Sequence, residues 1–231
     1  MDRATWLADR RAAVVATYDA EAADYDQHEY PSATQREWVA RLMRQLPPES
    51  MVLDAPCGTG KYFPIIAAAG HRVVGIDQSG GMLDQARARR IATSLDRLAL
   101  QDLGYRDQFE AVLTIDAMEN VPPEDWPRVL ANVHGALHPG GFVYMTVEEI
   151  DASAIDAAFD ALVCRGMPAC AARWWKATWP ATTTIRAATR SCSGSRPSSW
   201  TFSTRTSSGP TVGAIVTSCC AIDAEVAVEN S

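Results

Sequence analysis

Two carboxylates bracket a glycine loop in the stretch VLDAPCGTGKYFPIIAAAGHRVVGIDQS, residues 52–79. Asp54 ends one apolar run and Asp77 ends the next, with Gly58 and Gly60 in the loop between them. Glycine lets a backbone lie directly against a ligand, and the N-terminus of the helix that follows can receive a carboxylate. A carboxylate after the second run can accept both hydroxyls of a ribose. A phosphate-cradling loop of the Gly-x4-Gly-Lys-Ser/Thr type is excluded. Ala55 stands where its first glycine belongs, and Tyr62 replaces the hydroxyl that would bind magnesium. A nicotinamide site fits little better, because Phe63 occupies the third glycine position and an acid precedes the turn. The chemistry left is that of an amino acid joined to an adenosine.

These residues need elements to position them. Ser32 and Gln35 have capping-box spacing ahead of Val39, Leu42, Met43 and Leu46, which predicts a helix over 32–46. Strands are expected at 51–55, 71–77, 98–102, 109–116 and 142–149. Helices are expected at 61–69, stopped by Gly70, at 80–94 and at 122–141. The strands read as near-continuous apolar runs, the pattern of a parallel sheet covered on both faces. The expected fold is therefore α/β: a doubly wound, Rossmann-like, mostly parallel sheet with helices on both faces. Ligands in such sheets bind beyond the carboxyl ends of the strands, where strand order reverses. On this reading Asp54, Asp77, Asp102 and Asp116 gather on one rim.

Four segments in order, VLDAPCGTG, VVGIDQS, ALQDL and LHPGG, resemble the class I S-adenosylmethionine-dependent methyltransferases. The resemblance covers about residues 18–150, and YDAEAADYD, 18–26, is similar to the segment that precedes the core in many members. It implies S-adenosyl-L-methionine as cofactor, with Asp54, Gly58 and Gly60 at the methionine portion and Asp77 on the ribose hydroxyls. It places Met82 beside the adenine, Asp102 near its amino group and Leu103 against the ring. Ala55, Cys57, Gln78 and Asp116 join the expected cofactor-binding set, although Cys57 also reads as a small filler. Pro56 departs from the family, which often has glycine there. Asp54 as a turn cap, Asp77 as a strand terminator and Asp102 as a surface turn are the plainer alternatives.

Asp116, Glu119 and Asn120 follow the fourth strand, where the family often places groups that face substrate; a surface loop is the alternative. Glu119 is the candidate general base. Tyr18, Tyr25, His28 and Tyr30 are expected to form a lid or to pack an amphipathic helix. The methyl of a sulfonium is already activated, so alignment is the main task, and a base is needed only for a protonated acceptor. The expected activity is in-line methyl transfer to a small-molecule acceptor. Protein or nucleic-acid methylation, a catalytically impaired cofactor-binding protein and a nicotinamide-dependent oxidoreductase are the rivals. Asp77→Ala is expected to weaken cofactor binding with little change in melting temperature.

Composition bounds the rest. The chain has 231 residues and a formal net charge of −7, with no apolar run long enough to span a membrane. Acids throughout the first 26 residues argue against a signal peptide, so a cytoplasmic location with reduced thiols is expected. Six irregularly spaced cysteines and four scattered histidines show no metal-ligand spacing. Residues 1–164 hold 25 acids against 14 Lys and Arg, whereas 165–231 hold 3 against 7. No acid lies between Asp160 and Asp223, and Leu162 is the last leucine. The expected organisation is a helical lid segment over 1–47, a cofactor-binding core over 48–164 and an atypical tail over 165–231. Reading residues 181–220 one base out of phase, with free choice among synonymous third bases, yields a leucine-bearing helix and two strand-like runs. A frameshift, with the last two strands lost or scrambled, is the expectation for this tail.

Overall fold

Ser32 and Gln35 set the entry to the helical layer. The Ser32 hydroxyl accepts from the Gln35 N–H, and the Gln35 amide oxygen accepts from the Ser32 N–H, closing the expected capping box. The computed structural model describes residues 2–27 and 31–146. The capped helix is α2 (Ala33–Met43), and before it runs α1 (Arg3–Glu21). Then come β1 (Met51–Asp54), α3 (Phe63–Ala68), β2 (Arg72–Asp77), α4 (Gly80–Ala88), β3 (Ser94–Arg97), β4 (Phe109–Thr114), α5 (Trp126–Ala136) and β5 (Leu137–Met145). Among the described residues all strand pairs are parallel, in the order β3-β2-β1-β4-β5. Chain direction across the sheet therefore reverses at β1, whose carboxyl end carries Asp54.

Side-chain alternation along the strands divides the core in two. Val52, Val73, Ala111, Leu113 and Tyr144 face α2, α3 and α4 through Val39, Leu42, Met43, Phe63, Ile66 and Leu83. Leu53, Ile76, Val112, Val143 and Met145 face α5 through Trp126, Val129, Leu130 and Val133. Each buried Val, Leu, Ile, Phe or Met among them stabilises by roughly 1.5–3 kcal/mol, which is what clamps helices to both faces and fixes the rim. Among the described residues no helix is long and apolar enough to cross a membrane.

Three elements depart from expectation. The third strand forms at Ser94–Arg97, not at 98–102; Leu100–Asp102 is a 3-10 turn. Its Leu100 and Gln101 carbonyls accept from the Asn132 side-chain amide of α5, which replaces a ladder partner. The true strand is mostly polar and, among the described residues, pairs with β2 alone, so it lacks a continuous apolar signal. The fifth strand begins at Leu137, inside the segment expected to end a helix, because an irregularity between Phe109 and Ala111 lets it pair early. Helix α4 stops at Ala88, just before Arg90 adopts a left-handed conformation with φ 55°. The expectations for 165–231 lie outside the described residues.

Candidate cofactor site at the switch point

The glycine loop is tied down on three sides. The Ala55 N–H donates to the Leu113 carbonyl of β4, and the Cys57 N–H donates to Ile76 of β2. The Gly60 N–H closes back on the Cys57 carbonyl at 2.8 Å. Gly58 and Gly60 have φ of +50° and +76°. A Cβ on Gly60 would stand 2.5 Å from the Phe63 ring, whereas one on Gly58 would meet nothing within 4 Å. The loop thus presents bare backbone to open space at Gly58.

Asp77 does more than end a strand. Its Oδ2 accepts from the Gly58 N–H at 2.9 Å and its Oδ1 from the Ser79 N–H at 2.8 Å, so it braces both the loop and the start of α4. Each oxygen keeps a second lone pair for a ligand hydroxyl. Burial pushes the Asp77 carboxyl above its ordinary range, and backbone hydrogen bonds from Ser79, Gly58 and Gln78 partly oppose that. Asp54 is 1% exposed and its Oδ2 has no hydrogen-bond partner. Burial first, and the Asp77 charge second, raise Asp54 well above the carboxylate range. Two acids short of positive partners favour a ligand that brings a donor or a cation.

The N-terminal segment straps over this rim. Asp19 of α1 accepts from the Ser79 hydroxyl at 2.5 Å and the Gly81 N–H at 2.9 Å. In the 3-10 turn Tyr25–Gln27, Asp26 accepts from the Thr59 hydroxyl and pairs with Arg89, both at 2.5 Å. Lys61 donates to the Tyr25 carbonyl and lies 4.9 Å from the Tyr25 ring centroid. Arg11 forms a bidentate pair with Asp125 ahead of α5, and the Tyr18 hydroxyl accepts from the Asn120 amide. Burial pushes the Tyr25 phenol up to about 12, with Tyr18 and Asp116 adding to it.

Beneath this strap lies a cleft of about 930 Å³, its open mouth included. Of the expected residues, Cys57, Gly58, Asp77, Gln78, Met82 and Asp116 line it, together with Tyr18, Tyr25 and Asn120. Asp54 and Ala55 sit buried under the loop, and Gly60 shapes the loop without lining the cleft. Asp102 is exposed and paired with Arg128 at 3.1 Å, while Leu103 is buried in the core beside α5. The residues just before them, Leu98 to Gln101, line the wall. Glu119 is exposed on the turn Met118–Asn120, outside the lining. His28 and Tyr30 lie outside the described residues. Sequence reading missed Arg11, Thr59, Ile115 and Val121 in the wall. Only Thr59, inside the glycine loop, carried a signal that would have found it. Among the described residues no group of three His, Cys, Asp or Glu side chains could hold a metal ion.

A doubly wound parallel sheet with a ligand cleft at its point of reversal defines a Rossmann-like binding domain. Residues 52–141 match a family model described as a methyltransferase domain. A demethylmenaquinone methyltransferase of Symbiobacterium thermophilum is 38% identical over 117 residues, covering 46% of this chain and 45% of that protein. A malonyl-[acyl-carrier protein] O-methyltransferase of Serratia marcescens is 29% identical over 140 residues, covering 58% and 51%. The chain therefore spans about half the length of these curated relatives. The crystal structure of 1,6-didemethyltoxoflavin-N1-methyltransferase from Burkholderia thailandensis, with bound 1,6-didemethyltoxoflavin and S-adenosylhomocysteine, has the same fold. It aligns with a TM-score of 0.53 at 24% identity over 65% of this chain and 66% of that one. Residues 52–141 are thus similar to a methyltransferase domain, on a fold shared with that structure.

Proposed function

We propose that the chain binds S-adenosyl-L-methionine in this cleft and transfers its methyl group to a small-molecule acceptor. One observation carries the reading: the bare loop at Gly58 lies between Asp54 and Asp77 at the carboxyl ends of adjacent parallel strands. The residues fit the cofactor. Open space faces Gly58, and Asp77 keeps an acceptor site on each oxygen. The partnerless Asp54 Oδ2 calls for a donor. Bound there, the cofactor supplies a methyl group on a positively charged sulfur.

The protein's own work is then to bind, orient and exclude water. Asp77 would take the ribose hydroxyls, with Met82 and the wall from Leu98 to Gln101 enclosing the base. Tyr18, Tyr25 and the strap from Asp19 to Asp26 would close over the reacting groups. Alignment of this kind supplies on the order of 7–11 kcal/mol in ideal cases. Of the carboxylates after β4, Asp116 lines the cleft and Glu119 stands on the exposed side of its turn. As a general base, Glu119 would meet a departing proton only at the rim.

Support for a small acceptor comes from the apolar and aromatic lining, which includes Val14, Tyr18, Tyr25, Ile115, Val121 and Pro122. The acids that dominate residues 1–164 would also repel a phosphate backbone. The curated relatives are named for demethylmenaquinone and malonyl-acyl carrier protein, neither of them a nucleic acid. Incubation with S-adenosylmethionine labelled at the methyl carbon tests the proposal. Label is expected in a fractionated metabolite extract; preferential label in purified RNA or DNA would overturn the acceptor class.

A further inference from the structure

Asp116 is one of the few side-chain-bearing residues held in the left-handed region, with φ 48°. Such a conformation is costly and persists only where the surroundings over-determine it. Here three hydrogen bonds do so. The Asp116 N–H donates to the Thr146 hydroxyl at 2.7 Å, and that hydroxyl donates back to Asp116 Oδ1 at 2.7 Å. The Gln35 side-chain amide donates to Oδ2 at 2.8 Å. Both partners are buried, Gln35 at 4% and Thr146 at 1% exposure, and both are themselves fixed. Thr146 donates its N–H to the Thr114 carbonyl, which continues the β4–β5 ladder. Gln35 spends its oxygen on the Ser32 N–H of the capping box, so only its NH₂ can face the carboxylate.

The chemistry of the clamp is selective. Every donor in it is neutral, and no described lysine or arginine forms an ion pair with Asp116. The carboxyl group is therefore fixed by neutral partners alone, at the wall of the cleft, with lone pairs left over. We infer that Gln35 and Thr146 are positioning residues that hold Asp116 ready for a cationic group of the methyl donor. The N-terminal cap of α2 is then part of the site and not only a helix end. This rests on the cofactor reading above.

Calorimetric titration of the full chain with S-adenosylmethionine and S-adenosylhomocysteine tests it, with thermal melting followed by circular dichroism. Thr146→Val removes the hydroxyl. Gln35→Glu keeps the oxygen that serves the capping box but turns the donor into an acceptor. Each is expected to weaken S-adenosylmethionine binding about tenfold, the size of one charge-assisted hydrogen bond, while the folded signal is retained. Thr146→Ser is expected to restore the affinity. Equal weakening of both ligands points to their shared ammonium, and weakening of S-adenosylmethionine alone points to the sulfonium; either supports the inference. Wild-type affinity in folded Thr146→Val and Gln35→Glu would overturn it. Lost folding in both variants, with Thr146→Ser binding like wild type, would assign a structural role and overturn it too. A wild-type chain that binds neither ligand would remove the cofactor reading first and this inference with it.

Discussion

Replacing Asp77 by alanine would separate its bracing of the glycine loop from its proposed hold on the ribose. Its oxygens hold the Gly58 and Ser79 N–H groups at 2.9 and 2.8 Å, and the side chain lines the cleft. Losing a hydrogen bond from a ribose hydroxyl to a charged acceptor costs about 1.5–3 kcal/mol. That corresponds to roughly ten- to hundredfold in Kd for the first hydroxyl. The unliganded protein also loses something. Two partly buried N–H groups are orphaned at about 1–3 kcal/mol each, partly offset because a buried acid with a raised pKa is removed. A net loss of about 1–2 kcal/mol lowers Tm by roughly 2–8 °C for a chain of this size. The expectation from sequence of an unchanged melting temperature is thus corrected by the two backbone bonds. Calorimetry with S-adenosylhomocysteine and differential scanning calorimetry without ligand read the two effects separately. An unaltered affinity would mean that the ribose is held elsewhere, and an unaltered Tm would mean that the loop does not depend on Asp77.

Gly60→Ala should destabilise by about 1–3 kcal/mol, since φ is +76° and the new methyl would press on Phe63; an unchanged urea midpoint would contradict that. Asp54 and Asp77 both have folded-state pKa values above the ordinary 3.8. Their contribution to stability is fully present below that unfolded value and is lost as pH rises through the folded values. The unliganded protein should therefore gain less from these acids near about pH 8 than near about pH 5, and Asp54→Asn should flatten the difference in urea unfolding. A steeper pH dependence in Asp54→Asn would refute this. The coding DNA should carry a single-base insertion or deletion across the codons for residues 167–173. A stop codon in the alternative frame before the codon for residue 222 would exclude it.

Local chemistry was legible where the backbone itself makes the demand. Gly58 and Gly60 announce positive φ, Ser32 and Gln35 announce a capped helix, and Asp54 and Asp77 stand at the ends of apolar runs. Edge geometry hid β3, whose residues are polar apart from Leu95 and which pairs on one side among the described residues. Helix α1 was expected only as part of a helical lid segment over 1–47, without bounds, since its alanines and charges show no apolar stripe. The strap and the clamp were illegible for another reason. Arg11 with Asp125, Asp26 with Thr59, and Gln35 with Asp116 are separated by 114, 33 and 81 positions, and only the folded sheet brings them together. A capping glutamine looks the same in sequence whether or not its free amide reaches a second residue.

Titration of the purified full chain with S-adenosylhomocysteine, with NADH as the competing ligand class, bears most directly on the central claim. Saturable one-to-one binding of S-adenosylhomocysteine, weakened in Asp77→Ala, with no NADH fluorescence change, is the expected result. A sample folded by circular dichroism that ignores S-adenosylhomocysteine and S-adenosylmethionine, or that binds NADH instead, would contradict the account.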